Sequence, residues 1–327
     1  MIQPRLRPME QISTQTLLGV RFWDRLSERS VNQRLRVTAQ RVDAVTPTRR
    51  LGKAVLGRIT PSGIVAFFGL SAAERPIAGA TQLLWENLPT NQFVAIDVVD
   101  LRGRYLPMSF VVRLPQRGPF LGKEPPDGEE SWLETPLLRP VPTVGEAPGI
   151  YLWSAPSRTV PSSATAIRAQ LVVGEGENPP PAAYALAEVV QPADSMAAEF
   201  RYFGMADGQG TLLLPLPYPP IPNPVGMEFP PLAEQTFNLN LNIYYDAATQ
   251  ETLPGSSVPN LVTLLTQPLA QIGTHFDAAE PAVLQTVSSL AIDLTFDQPQ
   301  VLRTALGSPD AATRESVLRI LPQPSEP

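Results

Sequence analysis

Cysteine is absent from this chain, and histidine occurs once, at His275. Without them there is no cysteine nucleophile, no cysteine zinc site and no centre built on two imidazoles. A Ser-His-Asp triad would have to use His275, yet no G-x-S-x-G elbow presents a serine. The neighbours of His275, which are Gly273, Thr274, Phe276 and Asp277, read as a helix terminus or loop and give the imidazole a structural place. Phosphate-cradling loops of the G-x-x-x-x-G-K-[ST] and G-x-G-x-x-G kinds are missing as well. So are a lysine-rich run and any zinc-finger or RNA-binding signature, and no nucleic-acid partner is expected. The cluster Asp127-Gly128-Glu129-Glu130 lacks the alternating ligand spacing of a calcium loop and reads as a solvated turn. No cofactor is expected. A hydrolytic pair of carboxylates stays open, since any two of the 31 acidic residues can converge in a fold.

Long apolar runs are lacking too. The uncharged stretch from Gly208 to Met227 is interrupted by Pro215, Pro217, Pro219, Pro220, Pro222 and Pro224, so no membrane insertion is expected. The opening MIQPRLRPMEQISTQ has no apolar h-region and no cleavage-site pattern. Secreted β-rich proteins often carry disulfides, and their absence here adds to the expectation of a cytoplasmic protein.

Proline, by contrast, is abundant, at 38 of 327 positions. That density leaves few windows for a long helix and favours strand edges, turns and extended linkers. A 43% hydrophobic content argues against disorder throughout, and the length suits about two domains. The net charge of −6 is unevenly spread: residues 1–60 hold twelve Arg and Lys against four acids, leaving thirteen against twenty-seven for the remainder. The basic residues alternate with Leu, Val and Phe, as on a solvated strand face; the same charge also suits an acidic partner.

Read for periodicity, 17–24 (LLGVRFWD), 34–39 (RLRVTA), 93–100 (FVAIDVVD) and 105–114 (YLPMSFVVRL) are strands, and Pro61-Ser62-Gly63 is a turn before the apolar run 64–70. Helix competes over 31–45, where Val31, Leu35, Val42 and Val45 can share a stripe; the alternation of Leu35 and Val37 with Arg34, Arg36 and Thr38 favours strand. Strand patterns resume at 167–173, 183–190, 211–216, 237–245, 290–296 and 317–320, and the best helix candidates are 261–272 and 281–289. The fold class expected is mainly β: two antiparallel β-sandwich domains joined by a Pro/Gly-rich linker, with one or two short helices in the C-terminal half. The boundaries are a polar leader over 1–16, a first sandwich over 17–115 and a linker over 116–149. A second β domain follows over 150–322, with its helices near 261–289, and then a tail over 323–327. Two turns resemble each other, Thr60-Pro61-Ser62-Gly63 and Ala206-Asp207-Gly208-Gln209-Gly210, each leading into an apolar strand.

Two features invite a contact role. In 237–245 (FNLNLNIYY) the apolar side chains take one face and Asn238, Asn240 and Asn242 the other, although asparagine is depleted from strands. An uncharged amide face can hydrogen-bond a neighbouring subunit without the cost of burying charge, or it can face solvent. Trp85 and Trp132 lie in loop-like surroundings suited to contacts or sugar stacking, whereas Trp23 sits in an apolar strand and is expected in the core.

Residues 17–114 resemble a carboxypeptidase-regulatory-like (transthyretin-like) β-sandwich. The likeness rests on Asp24-Arg25-Leu26-Ser27 after the first strand, Arg36-Val37-Thr38, and the run from Thr60 to Leu70, where the family's aromatic is displaced to Phe67 and Phe68. The chain is also similar to proteins of this type encoded beside contractile injection system (phage-tail-like) genes. That likeness is carried by Gly103-Arg104-Tyr105-Leu106-Pro107, Ser154-Ala155-Pro156-Ser157-Arg158, Arg168-Ala169-Gln170-Leu171, Pro181-Ala182-Ala183-Tyr184-Ala185, Pro217-Tyr218-Pro219 and Leu302-Arg303-Thr304. No peptidase activity follows, because a carboxypeptidase's metal-binding histidines cannot exist here. The resemblance implies a non-enzymatic structural component at a baseplate or cap. Its partners would be other subunits of the particle, it would be present in multiple copies, and Arg104 and Tyr105 join the asparagines as candidate contacts. Two alternatives stay open: a carbohydrate-binding adhesin using exposed Trp and Asn, and a cytoplasmic hydrolase with a carboxylate pair.

Overall fold

The computed structural model describes residues 18–43, 49–70, 92–114, 138–139, 149–191, 200–218, 236–276, 283–306 and 314–322. The chain is mainly β, built as several sheets, with one short α-helix among the described residues. The N-terminal part supplies β1 (Gly19–Val20), β2 (Phe22–Asp24), β3 (Arg29–Ser30), β4 (Leu35–Val42), β5 (Arg50–Leu56), β6 (Arg58–Ile59), β7 (Val65–Ala66), β8 (Gln92–Asp100) and β9 (Met108–Leu114). Then come β10 (Leu138–Arg139) and β11 (Gly149–Leu152). These strands form three sheets, ordered β5-β4-β8-β9, β10-β11-β2-β3 and β1-β7-β6. Where helix and strand competed, strand prevails across Leu35–Val42: Val37 and Ala39 are buried while Arg36 is exposed, a period of two that a helix cannot produce.

The remainder supplies β12 (Ala164–Val173), β13 (Leu186–Gln191), β14 (Phe200–Met205), β15 (Thr211–Pro217), β16 (Thr236–Tyr244), α1 (Leu261–Leu265), β17 (Gln271–Phe276), β18 (Leu284–Val287), β19 (Leu290–Thr295), β20 (Gln300–Leu302) and β21 (Leu318–Leu321). One sheet runs β14-β13-β16-β19; the other runs β15-β12-β21-β17-β18, with β20 also on β12. Their inner faces meet in a sandwich-like core in which Ile167, Leu171 and Leu214 join Leu239, Leu241, Ile243 and Ile292. β15 holds Pro215 and Pro217 and lies at a sheet edge, where a missing N–H breaks no ladder bond.

Two of the sequence expectations change, both of them helices. Across the expected boundary at residue 150, Gly149–Leu152 lies parallel to Phe22–Asp24, with Ile150 against Phe22 and Leu152 against Asp24. The first core likewise takes Ile150, Leu152 and Trp153 together with Leu186, Phe203, Met205 and Leu261, so apolar residues from both halves share it. The helix expected over 261–272 stops at Leu265, ahead of Pro268, and Gln271–Phe276 is a strand instead. The helix expected over 281–289 is strand β18 across 284–287, where Thr286 and Val287 are β-branched and pair with β17. The leader over 1–16 and almost all of 116–148 lie outside the described residues.

The resemblance between two turns has a structural basis, and a third turn shares it. In Thr60-Pro61-Ser62-Gly63-Ile64, Asp100-Leu101-Arg102-Gly103-Arg104 and Asp207-Gly208-Gln209-Gly210-Thr211 the glycine N–H donates to the first residue's carbonyl, at 2.9, 3.1 and 3.0 Å. The fifth residue's N–H donates to the first residue's side-chain oxygen, at 3.1, 2.8 and 2.9 Å. The glycines have φ of 77°, 65° and 76°, the left-handed region that a Cβ disfavours. The outcomes differ: the first turn joins two strands of one sheet, while the third carries the chain from β14 in one sheet to β15 in the other.

Candidate functional site

Three of the motifs that carry the sequence resemblance converge on one polar junction. Asp24 closes β2, Tyr105 follows the Asp100 turn, and Arg158 follows β11. Arg158 donates from Nη1 to Asp24 Oδ1 (2.9 Å) and from Nη2 to Asp24 Oδ2 (2.7 Å), and its Nη1 also donates to Ser154 Oγ at 2.9 Å. Ser27 Oγ donates to Asp24 Oδ2 at 2.8 Å, and the Leu26 N–H to Oδ1 at 3.1 Å. Backbone bonds sew the segments together: Leu106 N–H to Trp153 C=O at 2.8 Å and Ala155 N–H to Arg104 C=O at 2.9 Å. Ser157 Oγ adds a bond to the Gly103 carbonyl at 2.7 Å.

The electrostatics follow from this geometry. Burial pushes the Asp24 carboxyl up, but the Arg158 hydrogen bonds and charge, with Ser27 and Leu26, outweigh it and hold the group below its usual 3.8. Burial likewise favours loss of the Arg158 proton, and Asp24 reverses that, so the guanidinium is held more firmly charged. The Tyr105 hydroxyl is pushed up to about 12, first by burial and then by the Asp24 charge. The Arg158 and Arg104 guanidinium carbons lie 5.1 and 5.2 Å from the Tyr105 ring centroid. Arg104 also reaches Asp100 Oδ2 through Nε at 3.3 Å. Beside the junction is an open cleft of about 210 Å³ whose wall includes Asp24, Ser27, Asn32, Arg104 and Tyr105.

Arg25, in the turn after β2, carries its guanidinium into an aromatic setting: 4.1 Å from the Tyr151 centroid, 5.4 Å from Phe203 and 5.8 Å from Tyr202. Tyr151 and the N-terminal turn belong to one sheet system and Tyr202 and Phe203 to β14, so this side chain spans the two groups of sheets. Glu28 accepts from the Tyr151 hydroxyl at 3.1 and 3.0 Å, which brings a counter-charge to the same seam. The basic N-terminal segment therefore divides. Arg25 sits in this seam and Arg50 bonds Asp97, while Arg29, Arg36, Lys53 and Arg58 are exposed.

The asparagine face is graded rather than uniform. Asn242 Nδ2 donates to Glu188 Oε2 at 3.0 Å, and the Tyr244 hydroxyl donates to the same oxygen at 2.7 Å. Arg201 Nη1 stands 3.6 Å from Glu188 Oε1, so this buried carboxylate has a charged partner and two hydrogen bonds. Burial, then Glu188, raises the Tyr244 hydroxyl above its usual range. Asn240 lies half-buried between Val190 and Ala291, and Asn238 is exposed opposite Asp293. One amide is thus tied into the fold, one is half-covered, and one faces solvent.

Arg104 and Tyr105 come together with Asp24 and Arg158, on different sheets from the asparagines. Trp85 and Trp132 lie outside the described residues. Trp23 is half-buried and Trp153 fully buried. Sequence reading missed the roles of Asp24, Arg158, Arg25 and Glu188. For the first two a signal existed, since both stood inside motifs quoted for the resemblance, but nothing local joined those motifs. The described fold and these surfaces define a mainly β, sandwich-like protein. The chain matches no family model, no curated protein and no solved structure.

Proposed function

We propose that this chain is a non-enzymatic structural subunit of a contractile, phage-tail-like injection particle. It is held in several copies at the baseplate or cap through protein–protein contacts. Its body is two β-sandwich domains, and the observation that carries the reading is the convergence of Gly103–Pro107, Ser154–Arg158 and Asp24–Ser27 on the buried Asp24–Arg158 pair. Groups so closely paired favour a fixed geometry between strands over a reactive one. The outer end of the asparagine face, exposed Asn238 and half-buried Asn240, then offers an uncharged docking surface whose amides can bond a neighbour at low desolvation cost. The particular particle is supported by the sequence motifs that resemble proteins of tail-like gene clusters.

The test is co-sedimentation. A tagged copy of the chain should travel with tube and sheath proteins in one particle, and deletion of its gene should remove a layer or the whole particle while those proteins are still made. Intact particles from the deletion strain would sink the reading. Asn238→Lys with Asn240→Lys should lower retention of a correctly folded subunit in purified particles; full retention would return this face to solvent.

A further inference from the structure

Among the described residues, strand β19 ends its sheet. One side pairs with β16 from Thr236↔Thr295 to Leu241↔Leu290. Among the described residues no strand pairs with the other side; beyond that ladder, the Gln298 N–H bonds the Thr295 carbonyl at 3.3 Å. In an antiparallel ladder alternate residues aim their N–H and C=O away from the partner, so such an edge is a ready template for another strand. Its side chains alternate as a core strand's do, with Ile292 and Leu294 buried and Ala291 and Asp293 exposed.

A groove of about 360 Å³ runs beside this edge. Leu290 and Ile292 wall one side, and Gly273, Thr274, Leu302 and Leu318 of the facing sheet wall the other. Arg303 and Arg314 also line it; both are exposed, and neither enters an ion pair among the described residues. Asp293 is the one acid among the described residues of the groove wall, where two positive charges face one negative. That carboxylate, in the middle of the strand, would lie opposite or diagonal to itself if two copies paired edge to edge, which disfavours self-pairing.

We propose that the β19 edge is a docking site for an extended acidic segment of a different protein. The segment adds as a strand, places alternate apolar side chains in the groove and sets a carboxylate against Arg303 and Arg314. Charge complementarity selects the occupant: an acidic segment gains two cations, and a basic one meets them as like charges. The inference does not depend on which particle the protein enters, because the site is a property of the free chain.

The test uses the full chain and a blocked seven-residue peptide of alternating valine and glutamate. Companion peptides carry lysine in place of glutamate, or proline at the central valine. Amide hydrogen exchange in Leu290–Thr295 should slow with the glutamate peptide and not with the proline one. Arg303→Glu with Arg314→Glu should weaken the glutamate peptide at least about tenfold and improve the lysine peptide. Should that double variant melt early, Asp293→Asn serves instead and should tighten the glutamate peptide. No protection of the β19 amides at millimolar peptide overturns the proposal. So does equal binding of the proline peptide, and so does an affinity indifferent to these charge changes.

Discussion

Arg158 holds both carboxylate oxygens of Asp24, at 2.9 and 2.7 Å, across 134 positions of sequence. Both side chains are about nine-tenths shielded from solvent, with relative exposures of 10% and 9%. A two-pronged bond between shielded groups resists salt and ties the strand after residue 149 to the first strands of the chain.

Removing one partner strands the other charge. Arg158→Met should therefore destabilise the protein by about 3 kcal/mol in urea unfolding. Ser157→Ala, which deletes only the bond to the Gly103 carbonyl, should cost about 1 kcal/mol. Equal losses would mean that the ion pair is not what holds the junction.

Acid should attack the same pair. The folded-state Asp24 carboxyl sits below its ordinary 3.8, so its contribution is present above that value and disappears as the pH falls through the lower folded value. As the pH falls below about 4 the wild-type protein should lose stability faster than Asp24→Asn, which starts weaker but has nothing to protonate there. Parallel stability curves for the two proteins across that window would count against the assignment.

Alkali acts through Tyr105. Its hydroxyl is pushed from 10.0 up to about 12 in the folded protein, so the neutral phenol is favoured by folding. That contribution is complete below pH 10 and vanishes as the pH rises through about 12. Tyr105→Phe should remove on the order of 2 kcal/mol of alkaline sensitivity between those limits. The difference between the two proteins' unfolding free energies, followed by circular dichroism, reads it directly.

The glycine of the third turn is a steric requirement as well as a conformational one. Gly210 has φ 76°, and a Cβ there would stand 2.4 Å from the Leu171 carbonyl oxygen. Gly174 has φ 91° with open space around it. Gly174→Ala should cost about 1 kcal/mol, the price of left-handed backbone, whereas Gly210→Ala should cost at least about 3 kcal/mol because backbone must move. Thermal unfolding of the two variants separates the effects.

Much of this architecture was already legible in local pattern. Alternation of Phe237, Leu239, Leu241 and Ile243 with asparagine specifies a strand, and the structure buries those four and leaves the amides outward or half-covered. The [DT]-x-x-G turns were legible because side chain, glycine and backbone bonds all fall within five residues. Elements without a period of their own were not: β14 and β17 are short runs whose apolar residues suit helix or strand equally, and neighbouring strands decide. Which strand residues 150–152 pair with, which asparagine bonds Glu188 and where Arg158 finds its carboxylate depend on chain segments far apart in sequence. A strand pattern says which side chains face the same way; it carries no record of what meets them. Those meetings depend on how the sheets stack, and only tertiary packing fixes the stacking.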